Sequence, residues 1–324
     1  MTRVAAVDCG TNSIRLLIAD LDGEGGLLDV VRTRELVRLG EGVDRTGRFS
    51  DAALERTLTA TRNYADMCRK HGVERIRFVA TSATRDAANR AEFTDAVHAI
   101  LGVPAEVIPG TEEAALSFRG ALIALAASGA PAVTDKYLVV DLGGGSTELV
   151  LGTHTPDSAY SMDVGCVRLT ERHLHSDPPL EAELDSIRRD VNEALDTATD
   201  AVDLGLATEV VGVAGTIGTI TAHALGLSSY DVQSISGSRL PLADVLEACA
   251  ALSRMPRAER VALPYMHPGR VDVIAAGAVI WSTVLHRVAE ATAEAGRPLE
   301  TVTTSDHDIL DGVALSLGSA GAAH

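Results

Sequence analysis

The chain carries the same strand-turn-strand pattern twice, once over residues 4–18 and again over 137–151. In each copy an apolar run rich in β-branched residues delivers an aspartate, Asp8 or Asp141, to the carboxyl end of a strand. The chain then turns through glycine and hydroxyl residues into a second apolar run. Small residues let backbone N–H groups approach phosphate oxygens closely, and the hydroxyls of Thr11, Ser13, Ser146 and Thr147 with the Asn12 amide add donors. Gly143, Gly144 and Gly145 are the small residues of the second copy. An aspartate beside such a turn is a hard oxygen ligand suited to Mg²⁺. A single Asp-x-Gly at a strand end can be an ordinary hairpin turn. Two copies in different halves that repeat carboxylate and hydroxyls together point instead to paired cradles for a chain of phosphates across a cleft.

At 324 residues and 46% hydrophobic, the chain can bury ample core and predicts about two domains. No apolar stretch approaches the roughly 20 residues of a membrane span, and the N-terminus enters a strand without a basic leader, so the expectation is a cytoplasmic protein with no membrane partner. Cys9, Cys68, Cys166 and Cys249 lie far apart without zinc-ligand spacing, as reduced thiols would. A net charge of −17 argues against DNA or RNA as partner. Binding a polyanion then requires local arginines, backbone donors and a metal, with activity sensitive to salt and Mg²⁺.

After the first hairpin the pattern predicts a third strand over 27–39 and a glycine-rich loop. Ser50 is then placed as N-cap of a helix with Leu54, Leu58, Thr61, Ala65 and Cys68 on one face. Strand 76–80, helix 90–101, strand 105–109 and helix 112–127 follow, an α/β alternation. The small, turn-rich stretch 127–134 predicts the domain boundary, giving an N-terminal domain of 1–127 and a C-terminal domain of 128–324. The second half repeats the plan, with a strand near 160–163, a helical stretch 180–202, strand 209–213, a closing stretch 271–291, strand 301–304 and a helix from Asp311.

Several positions carry two readings. Gly215 and Thr216 follow the 209–213 strand, where helix N–H groups could meet an anion or simply start a helix. Arg85 could fork onto phosphate oxygens or pair with Asp86 or Glu92. Of Glu112 and Glu113, at the start of a helix after a strand, one suits the helix dipole and the other a general base. Glu148 is either a solvent-facing carboxylate or one that holds a metal-bound water. Arg254, Arg257, Arg260 and Arg270, with His267, form the densest basic run, a solvated face or a landing site for a polyanion tail. Neither lysine follows a glycine-rich loop, and Gly-x-Gly-x-x-Gly, Gly-x-Ser-x-Gly and His-Glu-x-x-His are absent, which removes P-loop, dinucleotide, α/β-hydrolase and zincin chemistry.

Taken in order, these segments resemble the exopolyphosphatase and guanosine pentaphosphate phosphohydrolase (Ppx/GppA) family, within the group that includes actin, hexokinases and Hsp70 ATPases. The matches are Asp-Cys-Gly-Thr-Asn-Ser at 8–13, Arg-Leu-Gly-Glu-Gly-Val-Asp at 38–44, Ala-Thr-Ser-Ala-Thr-Arg at 80–85 and Pro-Gly-Thr-Glu-Glu-Ala at 109–114. They continue with Asp-Leu-Gly-Gly-Gly-Ser-Thr-Glu at 141–148, Asp-Val-Gly-Cys-Val-Arg-Leu-Thr-Glu at 163–171 and Gly-Val-Ala-Gly-Thr at 212–216. The resemblance implies two ribonuclease-H-like domains with an interdomain active site, and Glu113 as the base that activates water. It implies Mg²⁺, or Mn²⁺ in its place, at Asp141 and Glu148 with Asp8 assisting, and the glycine-hydroxyl loops as phosphate holders. Longer members carry additional C-terminal helical domains, whereas this chain ends at His324, so the resemblance is to a short two-domain bacterial form. Leu310 and Asp311 stand where many members have arginine and glutamate. The expected activity is Mg-dependent hydrolysis of the terminal phosphoanhydride of inorganic polyphosphate, with short chains as substrate. Guanosine pentaphosphate is the alternative substrate. A phosphotransferase and a non-catalytic polyphosphate or alarmone sensor are the alternatives of other classes. A homodimer is compatible with the chain, though no residue dictates it.

Overall fold

The strand β1 (Thr2–Cys9) reads as one continuous apolar run because both of its faces are covered. Ala5 and Val7 point into one buried cluster and Val4 and Ala6 into another, the period-two alternation of a strand sandwiched between helices. The computed structural model describes residues 1–22, 26–127 and 136–319. Within it the chain forms two compact units, Met1–Gly120 with Ile309–His324, and Ala121–Asp308.

In the first unit β1, β2 (Ser13–Leu21), β3 (Leu27–Leu36), β4 (Arg75–Ala80) and β5 (Ala105–Val107) form a sheet of order β3-β2-β1-β4-β5. The first three strands are antiparallel neighbours, and β1, β4 and β5 run parallel. The helices Asp51–Lys70 and Arg90–Leu101 cover one face through Leu54, Tyr64, Phe93 and Val97. Ser50 caps the first of them, accepting from the Ala53 N–H, as its sequence position predicts. The expected apolar stripe is the buried one, with Leu58 only partly covered.

The other face is covered by Leu116 of the helix Gly110–Ala127 and by Ile309, Leu310, Val313 and Ala314 of the helix Ile309–Ser319. That last helix corrects the expectation that everything after 128 belongs to the C-terminal domain. Three observations explain its placement. Asp311, fully buried, takes both outer nitrogens of Arg32, at 2.5 and 3.2 Å. Arg77 Nη1 donates to Ser316 Oγ at 2.9 Å. Gly312 lies so close to the Gly110–Ala127 helix that a Cβ there would be 2.0 Å from the Leu116 carbonyl oxygen. The boundary expected at 127–134 lies, from 128 on, outside the described residues.

The second unit repeats the plan with β6 (Tyr137–Leu142), β7 (Thr147–Gly152), β8 (Pro156–Met162), β9 (Glu209–Val213), β10 (Arg239–Pro241) and β11 (Thr301–Thr304). Its order is β10-β11-β9-β6-β7-β8. With β10 set aside this is the arrangement of the first sheet: an antiparallel trio, then β9 and β11 added parallel to β6. Both sheets therefore have ribonuclease-H-like topology. One large core joins Leu138, Val140 and Leu149 of the sheet to Ile187 and Val191 of the helix Glu181–Ala198 and to Trp281 and Val284 of the helix Ile274–Glu294. The edge strand β10 and the short helices Ser82–Asp86 and Cys166–His173 have too few residues to show a period in sequence. No helix among the described residues is long and apolar enough to cross a membrane.

Gly312→Ala should destabilise the first unit. Alanine gains about 1 kcal/mol of helix propensity, but displacing a backbone carbonyl falls at the upper end of overpacking costs, about 3 kcal/mol. Urea unfolding checks this, and an unchanged midpoint would remove the close approach of the two helices.

Candidate active site

In the first unit the β1 to β2 turn is held from outside. Gly40 N–H donates to the Thr11 carbonyl and the Val37 and Arg38 N–H groups to the Asn12 carbonyl, at 2.9 to 3.2 Å. Thr11 Oγ1 also bonds Ser82 Oγ at 2.9 Å, which ties this turn to the one after β4. Ser13 opens β2. Asp8, 4% exposed, faces Arg15 directly across the strand pair, and Nε and Nη2 of that arginine donate to Asp8 Oδ2 at 2.9 and 2.7 Å. This guanidinium engages one carboxylate oxygen of Asp8, Oδ2, and leaves Oδ1 outside the pair.

The two adjacent glutamates have opposite fates. Glu112 is half-exposed and pairs with Arg77 at 2.6 Å. Glu113 turns inward and is 8% exposed, its Oε2 accepting from Arg85 Nη1 at 2.6 Å. Arg85 Nη1 also donates to the Ile108 carbonyl at 3.0 Å, so the guanidinium is braced on the strand end that precedes the helix. Its partner is thus neither Asp86 nor Glu92. Burial pushes the Glu113 carboxyl up to about 7, against the opposing pull of Arg85 and a hydrogen bond from Thr81, with the Asp8 charge adding to the rise. A carboxyl with this property in a site near Asp8 is suited to take a proton at neutral pH.

In the second unit the β6 to β7 hairpin sets Asp141 opposite Glu148, seven residues on, just as Asp8 stands opposite Arg15. Here the pair carries like charge, and the two side chains are 7% and 1% exposed. Like charges directly opposed across strands destabilise a sheet, and more so when buried. Glu148 Oε1 accepts from Ser161 Oγ at 2.7 Å, which fixes that side chain. The donor set is all carboxylate oxygen, which fits Mg²⁺ or Mn²⁺ and not a soft metal. No cluster of three or more His, Cys, Asp or Glu is present among the described residues.

The turn 143–146 is shaped by the helix Cys166–His173. The N–H of Cys166 donates to the Gly143 carbonyl, and those of Val167 and Arg168 to the Gly144 carbonyl, at 2.8 to 3.1 Å. Arg168 Nε takes the Gly145 carbonyl at 2.8 Å. A trans peptide points its N–H opposite to its C=O, so fixing these carbonyls on the helix aims the N–H groups of Gly144, Gly145 and Ser146 away from it, as an anion cradle requires. Gly165 permits the arrangement, because a Cβ there would lie 2.5 Å from Gly144 and Gly145 backbone atoms.

The third turn follows β9. Ala214 sits at φ +75°, a left-handed conformation that strains a residue with a Cβ. Gly215 is covered by Arg270, whose Nη2 would stand 1.9 Å from a Cβ at 215. Arg270 is 8% exposed, donates from Nη1 to Thr219 Oγ1 at 2.8 Å and lies over the Tyr230 ring at 5.2 Å. Thr216 is buried, its methyl against Gly277. Within this unit Asp141, Glu148 and the 143–146 turn share one hairpin, and Arg270 joins Gly215 and Thr216. Within the other, Asp8 and Glu113 interact electrostatically, with Arg85 on Glu113. The 163–171 segment contains Gly165 and Arg168, but its motif alone assigns them no role, and Arg15 falls outside the matched segments. Arg15 had a signal, since it follows Asp8 by the interval that separates Glu148 from Asp141.

The doubled sheet order and the doubled aspartate turn define a protein of the actin, hexokinase and Hsp70 class. The chain belongs to the Ppx/GppA phosphatase family, whose pattern matches residues 17–295. It is 52% identical to exopolyphosphatase 2 of Mycobacterium tuberculosis over 98% of this chain and 99% of that one. Among solved structures, an exopolyphosphatase-like protein is 48% identical with a TM-score of 0.95, covering 99% of both chains. The Aquifex aeolicus PPX-GPPA enzyme is 30% identical with a TM-score of 0.77, over 97% of this chain and 99% of that one.

Ala214→Gly should raise stability by a few tenths to about 1 kcal/mol by removing the left-handed strain. Denaturant midpoints measure it, and a loss of stability would contradict the backbone conformation at 214.

Proposed function

We propose that this chain is an exopolyphosphatase that hydrolyses the terminal phosphoanhydride of inorganic polyphosphate. The observation that carries the reading is Glu113, a buried carboxyl near neutrality beside Arg85. The similarity to a protein named exopolyphosphatase 2 supports the same substrate. Glu113 in its carboxylate form takes a proton from water as that water's oxygen attacks the terminal phosphorus in line. The bond to the bridging oxygen breaks, giving orthophosphate and a chain one unit shorter. Arg85 holds Oε2 and so orients the carboxylate.

The N–H groups of Gly144, Gly145 and Ser146, in a turn closed by the Gly143 N–H on the Ser146 carbonyl at 3.0 Å, the Gly215–Thr216 turn with Arg270, and the hydroxyl and amide groups of Thr11, Asn12 and Ser13 bind phosphoryl oxygens. Asp141 and Glu148 would hold Mg²⁺ or Mn²⁺, directly or through water, and the cation would offset charge on the phosphoryl oxygens. Asp8 assists through its negative charge, which favours the protonated form of Glu113 and so keeps that group basic. The four cysteines are free and buried, which supports a reducing, cytoplasmic setting.

Glu113→Gln should lose about 10²- to 10⁴-fold in phosphate release from polyphosphate of defined length, with the fold retained. Since the carboxylate is the active form, wild-type turnover should rise with pH through about 7 and level off above it. Wild-type turnover in the variant would sink the assignment of the base. Asp141→Ala should need about tenfold or more Mg²⁺ for half-maximal activity; an unchanged metal titration would take Asp141 out of the site.

A further inference from the structure

The arginine run in the second unit is not a common basic face. Arg254 leaves it to pair with Glu181. Arg257 and Arg260, both on the short helix Arg257–Ala262, grip the two residues that follow Arg270. Arg257 Nε donates to Asp272 Oδ1 at 2.8 Å, and Arg260 Nη1 to the Val271 carbonyl at 2.9 Å. Asp177 Oδ1 ties the two together, accepting from the Arg257 N–H at 2.7 Å and from Arg260 Nη2 at 3.5 Å. The backbone of Arg270 is thereby held just beyond its own Cα. On the other side its N–H donates to the His267 carbonyl at 2.8 Å.

Arg260 is an expensive residue for this place. It is 5% exposed, the carboxylate it hydrogen-bonds, Asp177, is half-exposed and 3.5 Å away, and its Nε–H meets no acceptor among the described residues, with Asp272 adding only a charge interaction. Burial accordingly pulls its guanidinium below the ordinary arginine value. An apolar side chain of similar length would fill the space without that desolvation. Stability therefore does not account for an arginine here, whereas the carbonyl it holds lies one residue from the guanidinium that covers Gly215.

We propose that Arg260 is a positioning residue for phosphate binding, fixing the Val271 carbonyl so that the Arg270 guanidinium stays over the Gly215–Thr216 turn. This rests on the reading of Arg270 as a phosphate-binding group. Arg270 is held at its guanidinium by Thr219 on one nitrogen and by the Tyr230 ring, so without Arg260 the backbone at 270–271 is free to shift and the guanidinium pivots about those two contacts, moving Nη2 off the turn.

The test measures binding of inorganic triphosphate by calorimetry in full-length protein carrying Glu113→Gln, which stops turnover. Arg270→Gln should weaken binding about tenfold to a hundredfold, the loss of a charged hydrogen bond. Arg260→Met should weaken it about three- to tenfold while its denaturant midpoint stays equal or rises, and Arg260→Lys should restore part of the loss. The double variant Arg260→Met with Arg270→Gln should bind no worse than Arg270→Gln alone. In the active background Arg260→Met should raise KM with kcat kept. Parental binding in both Arg260 variants, or full additivity in the double variant, would overturn the positioning role and leave Arg270 standing. Parental binding in Arg270→Gln would overturn the phosphate role of Arg270 and the proposal with it. If Arg260→Met does not fold, Arg260→Lys decides the matter by the same comparison.

Discussion

Pairing β6 with β7 in register sets two buried carboxylates, Asp141 and Glu148, opposite one another, and that opposition is the constraint around which the second unit is arranged. Two ionised carboxylates at that spacing repel, so the hairpin is stable only if something positive or protic sits between or beside them. Ser161 provides one hydrogen bond to Glu148. In the proposed reading a hard dication would add to that compensation and would keep coordination positions for phosphate oxygens. In the first unit the same register position holds Asp8 against Arg15, and the repulsion is replaced by an ion pair. The seventh position after the aspartate thus holds arginine in one hairpin and glutamate in the other, which gives the two strand pairs different charge type.

Glu113 depends on the opposite use of burial. A carboxylate in water is too weak a base to help much near pH 7, and an unpaired one in a protein interior would be fully protonated. Arg85 against desolvation yields a group near neutrality. Because the same Arg85 nitrogen also binds the Ile108 carbonyl, the orientation of the carboxylate is referred to the end of the first sheet rather than to a loose side chain. The neighbouring Glu112 shows what the helix start would do without that pocket, since it simply pairs with Arg77 at the surface.

The glycines at 165, 215 and 312 mark places where backbone meets backbone or guanidinium at distances that exclude a methyl group. Two of them lie at the 143–146 and 215–216 turns, and the third seats the last helix. They spend flexibility in the unfolded chain to obtain close approach in the folded one. At Ala214 a strained residue stands where a glycine would relax, immediately before the Gly215 turn.

The sequence by itself determined the α/β class, the doubled hairpin and most of the individual strands and helices, because apolar period and capping are local properties. Ser50 and the Leu54 to Cys68 stripe are instances. It also determined which residue types stand at the strand ends, and therefore the kind of chemistry open to them. Only tertiary structure decided which partner each charge takes. Arg85 had several acids within a few residues and chose Glu113, and Arg260 and Arg270 are adjacent in a basic run yet do different things. Only tertiary structure could assign the last helix to the first sheet, since its apolar face would suit either core and the choice rests on Arg32, Arg77 and the bare backbone at Gly312. Periodicity reports how a segment meets an apolar surface. It does not report which surface, because that is fixed by contacts between residues far apart in the chain.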